Sequence, residues 1–163
     1  MVRKLLGDDT SALHQIEPTL GFTIQTLTTD SGYTLHLWDV GGQRSLRAYW
    51  RNYFEATDGL IWVVDSTDAR RLDDGKVALQ ALLHEERLAA ASLLIFCNKQ
   101  DASGALSPVQ IVEHLQLDDK DDNGQLQRRH WQVQACSAVT GQGLVQGLDW
   151  MVQDIASRIF LLG

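Results

Sequence analysis

Leu35-His36-Leu37-Trp38-Asp39-Val40-Gly41-Gly42-Gln43 is the stretch whose reading decides the fold. Apolar and polar residues alternate into an aspartate, and the pattern then breaks into two glycines and a glutamine. A carboxylate at the end of a strand, followed by a flexible turn, is how a Walker-B type aspartate is set near a magnesium ion. It also brings a glycine N–H within reach of a terminal phosphate. Taken alone, D-x-G-G is a weak motif, because Asp and Gly are the default residues of any turn. Its meaning depends on what stands at the other strand ends.

Working upstream, Tyr33 to Asp39 alternates, Asp30-Ser31-Gly32 is a turn signal, and Thr23 to Thr29 alternates with Ile24 and Leu27 among threonines. Together they predict a β-hairpin with a short loop. Met1 to Asp9 reads as a basic–apolar helix tail ending at Gly7 and Asp8-Asp9, and a loop then leads to Pro18-Thr19-Leu20-Gly21-Phe22.

Downstream, Gln43 to Phe54 is aromatic and polar without a clean period, which predicts an irregular, partly helical segment. Gly59 to Asp65 is a continuous apolar run, as in a strand covered on both faces. A helix is predicted from Leu72 to Leu88, with Leu72, Leu79, Leu82 and Leu83 on one face. Ser92 to Asn98 is a second buried strand. Ser107-Pro108 supplies an N-cap and a first-turn proline for a short helix to about Leu115. Asp118 to Gln127 reads as a mobile surface insertion and His130 to Cys136 as a strand. Gly143 to Phe160 closes the chain as a helix, with a core stripe of Leu144, Leu148, Met151, Val152, Ile155 and Ile159. After the hairpin, alternating buried strands and helices predict an α/β fold with a mostly parallel sheet.

The length of 163 residues predicts one domain, residues 1–163, with a substantial core. Fourteen basic and 21 acidic residues give a net charge of −7, which argues against duplex nucleic acid or an anionic membrane as the main partner. No apolar run approaches the roughly 18 residues of a membrane span, and no signal peptide opens the chain. Cys97 and Cys136 read as buried thiols, so the expectation is a cytoplasmic chain without a disulfide framework. The five histidines show no metal spacing. Neither a dinucleotide fingerprint nor a G-x-S-x-G elbow is present.

In a parallel sheet, ligands bind beyond the carboxyl ends of the strands. Three such ends here carry unusual residues. The first is the Asp39-Gly42-Gln43 turn. The second is Asn98-Lys99-Gln100-Asp101, directly after the apolar run 93–97. A carboxylate there can accept guanine's N1–H and exocyclic amine together. Adenine offers no such edge, and a site built on that pair can reject the wrong base by about 10⁴. Asn98 can tie neighbouring loops together, and the stem of Lys99 can lie across the base. The third is Cys136-Ser137-Ala138, where small residues let a backbone N–H approach the base oxygen.

In this order, D-x-G-G, N-K-x-D and S-A resemble the ADP-ribosylation-factor branch of small GTPases, and within it the factor-like two/three subgroup. Pro18-Thr19-Leu20-Gly21-Phe22, Trp38 to Gln43, Tyr49 to Phe54, Asn98 to Asp101 and Cys136-Ser137-Ala138 carry the likeness. It implies the Ras-like three-layer α/β fold, GTP/GDP with Mg²⁺ as ligands, and slow GTP hydrolysis. By this resemblance Thr19 gives its hydroxyl to Mg²⁺, Asp39 holds the metal through water, the Gly42 N–H meets the γ-phosphate, and Gln43 orients the attacking water. Asn98, Lys99 and Asp101 read guanine, with Ser137 and Ala138 at the nucleotide and Ala138 contacting the base oxygen. Phe22, Trp38 and Tyr53 form an exposed aromatic surface for effectors. The partners implied are tubulin-folding cofactors and lipid-cargo solubilising proteins with an immunoglobulin-like β-sandwich, as monomer or hetero-complex.

One family element does not occur in these residues. A P-loop reads G-x-x-x-x-G-K-[ST], and the only Gly-Lys pair, Gly75-Lys76, is followed by Val77 and has Arg70 where the first glycine belongs. The resemblance aligns Met1 just downstream of that loop, so the expectation is an N-terminally truncated GTPase domain lacking its first strand. In the family that strand lies between the hairpin and the 59–65 strand, and its loss would leave unpaired edges and an uncovered apolar face. The competing expectation is a non-catalytic interaction module that has lost tight nucleotide binding.

Overall fold

The computed structural model describes residues 1–5, 7, 19–117 and 128–159. It falls into two compact units, Met1–Glu55 and Ala56–Gly163, each described by itself. The expected insertion at Asp118 to Gln127, the acidic end of the first segment at Asp8-Asp9, Pro18, and Phe160 at the end of the last helix lie outside the described residues.

The first unit opens with a single helical turn, α1 (Val2–Leu5). Its hairpin pairs β1 (Phe22–Thr28) with β2 (Thr34–Val40), antiparallel, with Ile24 opposite Trp38 and Leu27 opposite Leu35. Gly32, at φ +84°, closes the turn in the left-handed region that its missing Cβ permits. Along β2, Leu35 and Leu37 are half-buried while His36 and Trp38 are exposed, as period-2 alternation requires. Arg44–Tyr53 then forms an extended run of 3₁₀ helix, which is the regular form taken by the segment that lacked a clean period.

The second unit is a parallel sheet ordered β3 (Gly59–Asp65), β4 (Ser92–Asn98), β5 (Trp131–Ala135). Central β4 is buried from Ser92 to Cys97. Leu93, Ile95 and Cys97 join one core with Leu72, Leu79 and Leu83 of α2 (Ala69–Leu83) and Ile111 and Leu115 of α3 (Pro108–Leu115). On the other face Phe96 meets α4 (Leu144–Ile159), where a Cβ added to Gly147 would lie 2.5 Å from the Phe96 ring. Helices on both faces of a parallel sheet give the expected three layers. Helix α3 starts with a full capping box: Gln110 N–H donates to Ser107 Oγ at 3.3 Å, and Ser107 N–H donates to Gln110 Oε1 at 2.9 Å.

Two expectations need correction. The 59–65 run predicts a strand covered on both faces, but β3, whose one neighbour among the described residues is β4, is only partly covered. Its residues from Leu60 to Trp62 are only half-buried and Val63 is 48% exposed. A uniformly apolar run cannot report which side of a sheet it occupies. The helix expected from Leu72 to Leu88 instead spans Ala69–Leu83. His84 ends it, and Glu85 begins a separate 3₁₀ turn, Glu86–Leu88, by accepting the Arg87 N–H at 3.3 Å. A buried guanidinium closes this junction: Arg129 donates to the carbonyls of Leu88 at 2.6 Å, Ala91 at 3.0 Å and Leu83 at 3.5 Å. Burial pulls its pKa below the ordinary arginine value.

At the amino ends of β4 and β5, Asp154 of α4 accepts from Ser92 Oγ at 2.6 Å and lies 2.7 Å from His130 Nδ1. Both cysteines are free and buried, and burial pushes each thiol up to about 12. No helix among the described residues is long and apolar enough to cross a membrane.

Candidate functional site

In the second unit the carboxyl ends of all three strands converge, with Asp65 beside Asn98 and Cys97 beside Ala135. The loops that follow are tied together by side chains. Asn98 Oδ1 accepts the Ala138 N–H at 2.9 Å, and the Gln100 N–H donates to the Cys136 carbonyl at 3.1 Å. Buried Ser137 donates its hydroxyl to Asp101 Oδ1 at 2.7 Å and accepts the Thr140 N–H at 3.1 Å.

Asp101 is exposed, so its carboxylate is oriented by one buried hydroxyl and otherwise open. A carboxylate offers about four acceptor sites, and Ser137 takes one of them. The remaining sites can receive two donors side by side, which is the chemistry of guanine's Watson–Crick edge. The Ala138 N–H carries a single proton, and that proton is directed at Asn98. A base oxygen approaching there would share or displace that bond.

Lys99 has φ +67°, a left-handed conformation uncommon for a residue with a Cβ. Its ammonium donates to Asp65 Oδ2 at 2.7 Å. Sequence reading took Asp65 only as the end of a strand and overlooked this pairing. The available signal was a third carboxylate at a third strand end.

The first unit holds the other set. Thr19 Oγ1 lies 3.5 Å from Asp39 Oδ2, at the outer limit of a hydrogen bond. Gly41 is locked: its N–H donates to the Gly21 carbonyl at 2.9 Å, and its carbonyl accepts Trp50 Nε1–H at 2.9 Å. A Cβ at Gly41 would fall 2.4 Å from Leu46 Cδ1 and 2.5 Å from the Thr19 carbonyl, so this approach requires glycine. Gly42 is exposed with open space around it, and its carbonyl accepts Arg47 Nε–H at 3.3 Å. Gln43 is exposed, extended at ψ 142°, and makes no side-chain cap to the 3₁₀ helix it precedes.

Thr19 and Asp39 supply hard oxygen donors, the type Mg²⁺ takes. They fit an ion that is held by one or two protein oxygens and completed by waters and substrate phosphates. The described residues contain no cluster of three His, Cys, Asp or Glu that could bind a metal unaided.

Phe22, Trp38 and Tyr53 form one three-ring cluster, with centroids 5.6, 5.3 and 5.6 Å apart and Phe22 stacked on Trp38 at 24°. Phe22 and Trp38 are diagonal neighbours across the hairpin, within reach of aromatic side chains. They are 47% and 50% exposed, which is unusual for stacked rings of this size.

The model of the ADP-ribosylation factor family matches residues 1–155. The chain is 57% identical to ADP-ribosylation factor-like protein 2 of Arabidopsis thaliana over 162 residues, 99% of this chain and 83% of that protein. It is 58% identical to the Drosophila melanogaster protein of the same name over 147 residues, 90% of this chain and 76% of that one. Among solved structures, the Arl6 (BBS3) small GTPase of Trypanosoma brucei, with bound nucleotide analogue GppNp, matches at TM-score 0.79 and 27% identity. That match covers 88% of this chain and 84% of the other. With a family match over nearly the whole sequence, more than half its residues shared with these relatives, and the same α/β layers, the chain belongs to the ADP-ribosylation factor family of small GTPases.

Proposed function

We propose that this chain is a guanine-nucleotide switch in which Asn98, Lys99 and Asp101 read the base, the Gly42 N–H senses the γ-phosphate and Gln43 is the hydrolytic glutamine. The observation that carries the reading is the Asp101 carboxylate, fixed by the buried Ser137 hydroxyl at 2.7 Å and open on its remaining lone pairs. Asp101 accepts the N1–H and exocyclic amine of guanine, Lys99 lays its stem along the base, and Asn98 holds the 136–138 loop in place.

On the phosphate side the exposed Gly42 N–H donates to a γ-phosphate oxygen, and Gln43 orients a water for in-line attack. Thr19, directly, and Asp39, through water, would hold Mg²⁺, which when bound neutralises charge on the phosphate oxygens. The Gly41 lock keeps the turn carrying Gly42 and Gln43 at a set distance from Gly21.

Effectors read Phe22, Trp38 and Tyr53, and the candidates are tubulin-folding cofactors and β-sandwich carriers of lipidated cargo. A second reading, a protein-interaction module without tight nucleotide binding, is favoured by the absence of G-x-x-x-x-G-K-[ST] from these 163 residues. Thermal melts with GDP·Mg²⁺ and with ADP·Mg²⁺ separate the two. A switch gains apparent stability with GDP alone, about 2.7 kcal/mol at a hundredfold excess over Kd. No shift at millimolar GDP, together with effector capture that is lost in Trp38→Ala, would establish the second.

A further inference from the structure

We infer that Asp65 is a positioning residue for guanine recognition, holding the Lys99 side chain across the carboxyl ends of β3 and β4 where the base is read; this rests on the functional reading above. Lys99 sits at φ +67°, a left-handed conformation that is unfavourable for a residue with a Cβ. Its turn is held by two backbone bonds, Ala102 N–H to the Lys99 carbonyl at 3.0 Å and Gln100 N–H to the Cys136 carbonyl at 3.1 Å. The ammonium then reaches one strand over, to the neighbour of Asn98 in the β3–β4 register, and meets Asp65 at 2.7 Å.

The carboxylate that receives it is itself fixed. Asp65 Oδ1 accepts the Thr67 N–H at 3.0 Å and the Thr67 hydroxyl at 2.6 Å, leaving Oδ2 for Lys99. The backbone beneath is pinned as well: the Ser66 N–H donates to the Asn98 carbonyl at 3.2 Å, and the Ser66 carbonyl accepts the Leu106 N–H at 2.8 Å. Partial burial pushes the Asp65 carboxyl up, but the Lys99 and Thr67 bonds outweigh it and hold it below its ordinary value.

Stability does not explain this arrangement. The side chains are 51% and 33% exposed, and a pair so open to water contributes little to folding. A strained residue in the N-K-x-D turn whose side chain makes so weak a pair is better explained by where it puts the lysine stem.

The test is equilibrium binding of GDP·Mg²⁺ to the 163-residue chain, up to millimolar ligand, beside the unliganded melting temperature. Asp65→Asn keeps the bonds to Thr67 but removes the charge facing Lys99. It should weaken GDP about fivefold, the equivalent of ~1 kcal/mol, with the unliganded melting temperature unchanged. Lys99→Met keeps the stem without the ammonium and should lose a similar factor. The double variant should be no weaker than Lys99→Met alone, because the two residues act as one unit. Thr67→Val, which removes only the hydroxyl anchor, should show a smaller loss in the same direction and decides the matter if Asp65→Asn does not fold. Wild-type affinity in Asp65→Asn, or losses that add in the double variant, would overturn the positioning role alone. A wild-type chain without saturable GDP binding would overturn the functional reading and this inference together.

Discussion

Orientation and recognition at Asp101 can be separated by two substitutions. Ser137→Ala removes the hydroxyl that donates to Asp101 Oδ1 at 2.7 Å and accepts the Thr140 N–H at 3.1 Å. A hydrogen bond to a charged group is worth about 1.5–3 kcal/mol and a neutral one about 1. Asp101 is exposed, and water recovers much of its share, so the expected net loss is about 1–2 kcal/mol. For a chain of this length that corresponds to a melting temperature lower by roughly 2–8 °C, read by far-ultraviolet circular dichroism without ligand.

Asp101→Asn behaves differently. Its amide oxygen still accepts from Ser137, so the unliganded melting temperature should stay within about 1–2 °C of wild type. Two charge-assisted bonds to guanine are lost, however, and an N–H₂ donor is set against guanine's own donors. Affinity for guanosine nucleotides should fall by about 10²–10⁴. The amide complements a base with a carbonyl at that edge, so xanthosine diphosphate should now bind in preference to GDP. If Asp101→Asn melts as low as Ser137→Ala and keeps its preference for GDP over XDP, the carboxylate is a structural group and the base-reading assignment is wrong.

Other expectations are independent of the nucleotide. Gly147→Ala places a Cβ 2.5 Å from the buried Phe96 ring; overpacking of about 1–3 kcal/mol should exceed the ~1 kcal/mol gained in helix propensity, lowering the urea midpoint. Arg129→Met should cost about 2–4 kcal/mol, because the Leu88 and Ala91 carbonyls lose a buried donor, and hydrogen exchange should quicken first around residues 83–91. Partial burial raises the Asp154 pKa, but Ser92, His130 and Arg158 together bring it below the ordinary value. The stability it contributes is therefore fully present above about pH 4 and is lost as pH falls through the lower folded value. Acid unfolding followed by circular dichroism should be shallower in Asp154→Asn across that window, and an identical profile would refute the linkage.

Local physics was legible in the residues themselves. The hairpin followed from alternation on either side of Asp30-Ser31-Gly32, and the start of α3 from Ser107-Pro108. The buried centre of the sheet followed from Leu93 to Cys97. Each depends on a period or a cap spanning a few residues, and such patterns are written contiguously. N-K-x-D and D-x-G-G could likewise be placed at strand ends, because the strands before them were visible.

What the chain order could not supply were partners fixed by strand order. Asp65 and Lys99 are 34 positions apart, Ser137 and Asp101 are 36, and Asn98 and Ala138 are 40. Only the parallel β3–β4–β5 arrangement sets these groups beside one another. The same arrangement leaves Val63 exposed while Phe96, in an equally apolar run, is sealed beneath α4. Composition is nearly the same in the two strands, so position in the sheet and the helix packed over Phe96, not residue type, decide their burial. The sequence alone determined which chemistry stands at the strand ends. The tertiary structure decided which of those side chains orients another, because orientation depends on atoms brought together from distant parts of the chain.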